Sequence, residues 1–134
     1  AAPSVAKSDL LIVEKIVKTL GDDIYVYEEK YLDMATALSA SGPAYVYLFL
    51  ESLIDAGVSM GLSREISQQL AVQTIIGSVS LAKNTNLHPA ILRNNVTSPG
   101  GTTAAALQVL DQRGFKGVII DAVWSAYKKA LQLG

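Results

Sequence analysis

The 134-residue chain has no cysteine, a single histidine and few charges, only 17% of its residues being Asp, Glu, Lys or Arg. Each shortage excludes something. Without cysteine there is no disulfide scaffold, thiol nucleophile or Cys-ligated metal. His88 stands alone, so no multi-histidine metal set can form, and no Ser-His-Asp arrangement, HExxH helix or paired His/carboxylate spacing is present. The net charge is −1, and the lysines are scattered rather than clustered, which argues against nucleic acid or an anionic membrane surface as a partner. No signal-peptide pattern stands ahead of Ala1, so a cytoplasmic setting is expected.

Apolar residues are abundant instead, at 50%. A single domain of this size, spanning 1–134, can build a core, yet such a composition leaves more apolar surface than one copy hides, so an oligomer is expected. One run, Pro43 to Leu62, has the length of a membrane span. It carries Glu51 and Asp55 near its middle, each costing about 2.5 to 3.5 kcal/mol at a bilayer centre, so a soluble helix is the better reading.

Helical periodicity dominates the chain. Ser8 is expected to cap a helix over Asp9 to Leu20, with Leu10, Val13, Ile16, Val17 and Leu20 on one face. Ile24-Tyr25-Val26-Tyr27 alternates in β fashion but has no partner strand, and reads as an extended connector. Glu28 to Leu38 forms a second helix. Ser41 or Gly42 then caps a long helix that ends at Met60, with Pro43 in its first turn. That helix is apolar all round from Ala44 to Leu50. Small residues at Ala44, Ser52, Ala56 and Gly57 would admit a close neighbour, and the same helix of a second copy is the expected one. Ser63 caps the next helix, which continues to about Lys83, and His88-Pro89 opens a short one to Asn94. For His88, capping or a surface role outweighs catalysis. Helices over Ala104 to Leu110 and Val118 to Leu133 complete an all-α domain of six or seven helices.

One stretch is not explained by packing: Asn94-Asn95-Val96-Thr97-Ser98-Pro99-Gly100-Gly101-Thr102-Thr103. Proline and two glycines let the chain turn sharply into the following helix. The first helical N–H groups, from Gly101 to Thr103, are then left at the positive end of the helix dipole with hydroxyls beside them. Ordinary capping accounts for one hydroxyl, and four are present; a small anion such as a carboxylate or phosphate is the alternative occupant. The stretch lacks the lysine of a P-loop and the preceding strand of a dinucleotide loop.

The segments Ser41-Gly42-Pro43-Ala44-Tyr45, Asp55 to Arg64, His88-Pro89 and Asn95 to Thr103 resemble the C-terminal domain of pyrroline-5-carboxylate reductases. The likeness runs from about Ser8 to Leu133. It implies an interlocked helical dimerisation domain of the kind found in 6-phosphogluconate-dehydrogenase-like reductases. It further implies a homodimer, which some members of that family build into decamers, and a cofactor, NADPH or NADH, bound mainly by an N-terminal Rossmann domain absent from this sequence. By the same resemblance, Ser98, Gly101, Thr102 and Thr103 form the substrate site: the Gly101 and Thr102 N–H groups, helped by Ser98, would hold the carboxylate, and the Thr103 hydroxyl would face the pyrroline nitrogen to orient the imine and assist its protonation. Asn95 and Glu29 would touch the cofactor, and no metal is implied. The chain departs from the family pattern at Ala40, where glycine is usual, and at Asn86, where some members carry an acid. Alone it is expected to be inactive. A free-standing helical dimer without catalysis is the alternative; a hydroxyacid dehydrogenase relative is disfavoured because Pro43 to Met60 contains no lysine.

Overall fold

In a computed structural model, which describes residues 5–19, 21 and 23–133, the described residues form only helices and loops. The elements are α1 (Lys7–Lys18), α2 (Lys30–Ala35), a π-helical turn (Thr36–Ala40), α3 (Gly42–Ser59), α4 (Arg64–Thr85), α5 (Pro89–Asn95), α6 (Thr102–Gln112) and α7 (Phe115–Leu133). The all-α expectation holds. Because α2, the π turn and α3 run on as one rod from Lys30 to Ser59, the described residues hold seven α-helices in six rods.

The π turn replaces the break expected between Leu38 and Pro43. Pro43 has no N–H to offer the carbonyl of Ser39, and its ring crowds that carbonyl, so α geometry cannot pass this point. The chain inserts an extra residue instead: the N–H of Ser41 donates to the Thr36 carbonyl at 2.9 Å, five residues back. The Tyr45 hydroxyl donates to the carbonyl of Ala37 at 3.2 Å. Ser41 occupies the N-cap position of α3 but keeps helical backbone angles and makes no capping side-chain bond.

Other boundaries moved for equally local reasons. Ser8 is not the cap of α1; that helix starts two residues earlier than expected, at Lys7, and the N-cap position falls to Ala6. Ser63 does cap α4, its Oγ accepting the N–H of Ile66 at 3.2 Å. Asn86 ends α4 in the left-handed region, at φ 53°, a conformation asparagine tolerates. Ile24–Tyr27 pairs with no strand among the described residues, as expected of a connector.

Two packings organise the protomer. In the first, α4 folds back along α3 through the turn at Gly61, whose φ is +103°, and Arg64 bridges Asp55 at 3.0 Å across that turn. At the crossing a Cβ on Gly57 would lie 2.6 Å from Ser67 Oγ, so the glycine is what lets the helices meet. Ser67 is itself fixed there, its Oγ donating to the Ser63 carbonyl at 2.9 Å. The small face at Gly57 therefore receives α4 of the same protomer, where a second copy of α3 was expected. In the second packing, α7 returns to lie on α2 and the π turn, while α6 touches α7.

Little is enclosed by either. Among the described residues only Ala37, Gly57, Ser67 and Ala71 are buried, and Leu48, Leu70, Ile76, Val79, Val118 and Trp124 all stand exposed. The accessible surface is 10,931 Å², where a compact monomer of 14.2 kDa exposes about 6,800 Å². The rod from Lys30 to Ser59 is long and apolar enough to cross a membrane by length and composition alone.

Candidate functional site: an anion-receptive elbow

The elbow is built by local rules. Helix α5 is opened by His88, whose Nδ1 accepts the N–H of Ala90 at 3.1 Å, and Pro89 follows at the first helical position. That bond fulfils the capping reading of the only histidine. The helix ends at Asn95, and the Thr97 hydroxyl turns back to donate to the Arg93 carbonyl at 2.6 Å. Thr97 is thus a closing group of α5 and its hydroxyl is already used.

Ser98, Pro99, Gly100 and Gly101 then make a type II β-turn. Pro99 sets the first central φ, Gly100 takes φ +70°, and the N–H of Gly101 donates to the Ser98 carbonyl at 3.0 Å. Any side chain at Gly101 would collide with Ser98, since a Cβ there lies 2.7 Å from Ser98 Oγ and 3.2 Å from its carbonyl oxygen. Gly101 is the N-cap residue of α6, with extended backbone angles and no capping side chain.

This corrects the expected donor set by one residue. The N–H of Gly101 does not point outward, because the turn uses it. Helix α6 begins at Thr102 rather than Ala104, so the N–H groups without an intrahelical acceptor are those of Thr102, Thr103 and Ala104. The Ser98, Thr102 and Thr103 hydroxyls make no hydrogen bond with another described residue. Three N–H donors, unspent hydroxyls beside them and the positive end of an 11-residue helix make a locally electropositive helix start that can receive a small anion such as a carboxylate. Thr103 is half-buried, Ser98 and Thr102 are exposed, and no carboxylate side chain lies in the elbow to oppose an anion.

The two remaining predicted residues lie elsewhere. Asn95 is exposed at the end of α5, immediately before the elbow, whereas Glu29 is exposed at the N-cap position of α2. No extended contact within the protomer brings α2 to α5 or α6. The π turn is a feature that sequence reading missed; its signal was Pro43 placed four residues after Ser39 inside an otherwise helical run.

Fold and site together define an all-helical association domain that carries an anion-receptive helix start and leaves its apolar faces for another subunit. The chain belongs to the pyrroline-5-carboxylate reductase family: residues 29–133 match the family profile described as pyrroline-5-carboxylate reductase dimerisation. A pyrroline-5-carboxylate reductase from Synechocystis sp. is 43% identical over 134 residues, covering 100% of this chain and 50% of the relative. One from Glycine max is 44% identical over 130 residues, covering 97% of this chain and 47% of the relative. Among solved structures, a pyrroline-5-carboxylate reductase from Coxiella burnetii superposes with a TM-score of 0.94 at 36% identity, covering 100% of this chain and 50% of that one. The Plasmodium falciparum pyrroline carboxylate reductase, crystallised with NADP bound, gives 0.89 at 46% identity over 96% of this chain and 48% of that one. The chain therefore spans about half the length of the relatives it matches, and its residues 29–133 correspond to the dimerisation region, a homo-oligomerising part of an oxidoreductase family.

Proposed function

We propose that this chain is the dimerisation and substrate-binding part of a cytoplasmic enzyme that reduces 1-pyrroline-5-carboxylate to L-proline, the last step of proline biosynthesis. The observation that carries the reading is the set of unspent N–H groups on Thr102, Thr103 and Ala104 beside the Ser98 and Thr103 hydroxyls. The substrate is a small ring with one carboxylate next to one imine, and it needs an anion cradle with a hydrogen-bonding group a few ångströms away.

In this reading the carboxylate accepts hydrogen bonds from the Thr102 and Thr103 N–H groups and the Ser98 hydroxyl. Gly101 contributes by what it lacks, since a side chain there would displace Ser98. The Thr103 hydroxyl faces the ring nitrogen. It donates to the neutral imine and accepts from the protonated iminium, so it orients the C=N bond in either state. Reduction adds a hydride to the imine carbon and leaves the nitrogen with one more proton, giving a secondary amine. A nicotinamide cofactor, NADPH or NADH, supplies that hydride when bound. The described residues fit only its edge: Asn95 presents an exposed amide at the rim of the elbow and Glu29 an exposed carboxylate on α2, while no glycine-rich loop follows a strand to hold a pyrophosphate. This domain's share of the catalysis is orientation and electrostatics rather than strong acid or base chemistry.

The same reading sets the apolar rods against a second copy and not a bilayer or a nucleic acid. Glu51 and Asp55 lie in the rod that has membrane-spanning length, and the net charge of −1 offers phosphate backbones no attraction. The deciding experiment measures pyrroline-5-carboxylate-dependent oxidation of NADPH and NADH by the protein at the length of its relatives, wild type against Ser98→Ala and Thr103→Ala. The reading expects activity in the wild type, a raised KM in Ser98→Ala and a lowered kcat in Thr103→Ala. Wild-type kinetics in both variants would refute the site.

A further inference from the structure

Of the four hydroxyls in the elbow, on Thr97, Ser98, Thr102 and Thr103, that of Thr97 alone is already bonded within the described chain. It donates to the Arg93 carbonyl at 2.6 Å, while the Thr97 N–H donates to the Asn94 carbonyl at 3.0 Å. Asn95, Val96, Ser98, Pro99 and Gly100 on either side are exposed, whereas Thr97 is half-buried. A hydroxyl has one proton to donate, and here an anion does not receive it.

That bond closes a ring. From the Arg93 carbonyl to the Thr97 hydroxyl it spans Asn94, Asn95 and Val96, and the type II turn closes a second ring from the Ser98 carbonyl to the Gly101 N–H. The rings are joined through the planar Thr97–Ser98 peptide, so the only soft torsions between them are the ψ of Thr97 and the two of Ser98. The branched Cβ of threonine restricts its own χ1 as well. Helix α5 has little else to hold its end, being seven residues long and in no extended contact with another helix. A helix so short is marginal by itself. Loss of the Thr97 hydroxyl would leave the Arg93 carbonyl the longer bond from the Val96 N–H, at 3.3 Å.

The two rings carry different ligands in the proposed reaction. Asn95, in the first, meets the nicotinamide cofactor; Ser98, in the second, meets the substrate carboxylate. Hydride transfer requires the reacting carbons to be held about 3 to 3.5 Å apart, and a misplacement of about 1 Å costs on the order of 100-fold in rate. Neither Asn95 nor Ser98 sets that separation alone, because it depends on how the rings stand relative to each other.

We propose that Thr97 is a positioning residue for the hydride transfer. Its hydroxyl closes α5 onto the Thr97–Ser98 joint and so fixes the spacing between the cofactor contact at Asn95 and the carboxylate contact at Ser98. Thr97 touches neither ligand and acts through its neighbours on both sides. The inference rests on the proposed reaction and adds to it a residue that ligand contacts alone would not reveal.

The test uses the protein at the length of its relatives, assayed for pyrroline-5-carboxylate-dependent oxidation of NADPH and NADH. Thr97→Val keeps the branched shape and removes the hydroxyl; Thr97→Ser keeps the hydroxyl and removes the methyl. In Thr97→Val, kcat should fall about 10- to 100-fold through misplacement of the reacting atoms. KM for the pyrroline and for the cofactor should each stay within about twofold of the wild type, because each ligand keeps its own contacts. Thr97→Ser should recover most of kcat. Calorimetric titration with proline counts the competent sites, and their number in Thr97→Val should equal that of the wild type, which separates misplacement from misfolding. Wild-type kcat in Thr97→Val overturns the proposal. So does a raised KM at unchanged kcat, which would make the hydroxyl a ligand, a fall in kcat matched by a loss of proline sites, or a Thr97→Ser variant as impaired as Thr97→Val. Failure of the proposed reaction itself has a different signature, since Ser98→Ala and Thr103→Ala would then also behave as wild type.

Discussion

Dilution should unfold this protein. The accessible surface of 10,931 Å² exceeds that of a compact monomer of this mass by about 4,000 Å². Two such copies packed to ordinary density would together expose about 11,000 Å², so association removes on the order of 5,000 Å² from each copy. That is the size of an obligate interface, and with only four residues buried among those described, the described residues hold no separate core to keep a monomer folded. Folding and association are then one equilibrium between a native dimer and two unfolded chains. Each tenfold dilution weakens the dimer by about 1.4 kcal/mol. With an unfolding entropy of roughly 2.1 cal/mol/K per residue over two chains, the expected change in Tm is about 2 to 3 °C per tenfold dilution. Far-UV circular dichroism melts from 1 to 100 μM chain, paired with sedimentation equilibrium, read this directly. A helical monomer in the ultracentrifuge together with superimposable melts would refute the reasoning.

Three further perturbations separate packing from chemistry. Gly57→Ala places a methyl 2.6 Å from Ser67 Oγ and should destabilise the dimer by about 1 to 2 kcal/mol in urea titrations even though alanine favours helix, with Ser67→Gly in the same chain restoring most of the loss. Gly101→Val collides with Ser98 at the turn and should abolish calorimetric binding of proline while sedimentation still gives a dimer; unaltered binding would remove the elbow from the substrate site. His88→Ala deletes a helix cap and should cost about 1 kcal/mol in denaturant while leaving the pH profile of kcat/KM in the longer protein unmoved, whereas a lost ionisation in that profile would give His88 a catalytic role.

What the sequence disclosed was whatever is decided within a turn of helix. Ser63 before an apolar period, Pro89 after His88 and Pro99-Gly100 before a hydroxyl pair each fix a local geometry, and the structure places each as the chemistry of those residues requires. Non-local outcomes were less legible. Gly57 announced a close approach but not whose helix approaches, because a small residue fits α4 of the same protomer as well as α3 of another. The π turn was hidden because Ser41, Gly42 and Pro43 also spell an ordinary helix start, and only the sustained helicity on both sides distinguishes the two. At the elbow the error was one residue. Gly101 was counted as a donor from its place before the helix, while the tight turn that Pro99 and Gly100 form takes up its N–H.

That single hydrogen bond also bears on how the site works. The type II turn closes on itself through Ser98 and Gly101, so the three free N–H groups of α6 are aimed by backbone geometry alone and need no neighbour to hold them. Enclosure has a different origin. Ser98 and Thr102 are exposed, and nothing in the protomer shields them from water, where an anion at a helix start gains only about 0.3 to 1 kcal/mol from the dipole. Excluding water strengthens the same donors severalfold by lowering the local dielectric. In the proposed reading, recognition of a carboxylate is written into about six consecutive residues, and its strength is set by whatever closes over them. In the same reading substrate affinity would be coupled to assembly, since the elbow is pre-aimed in one chain and only an element packed over it can exclude water.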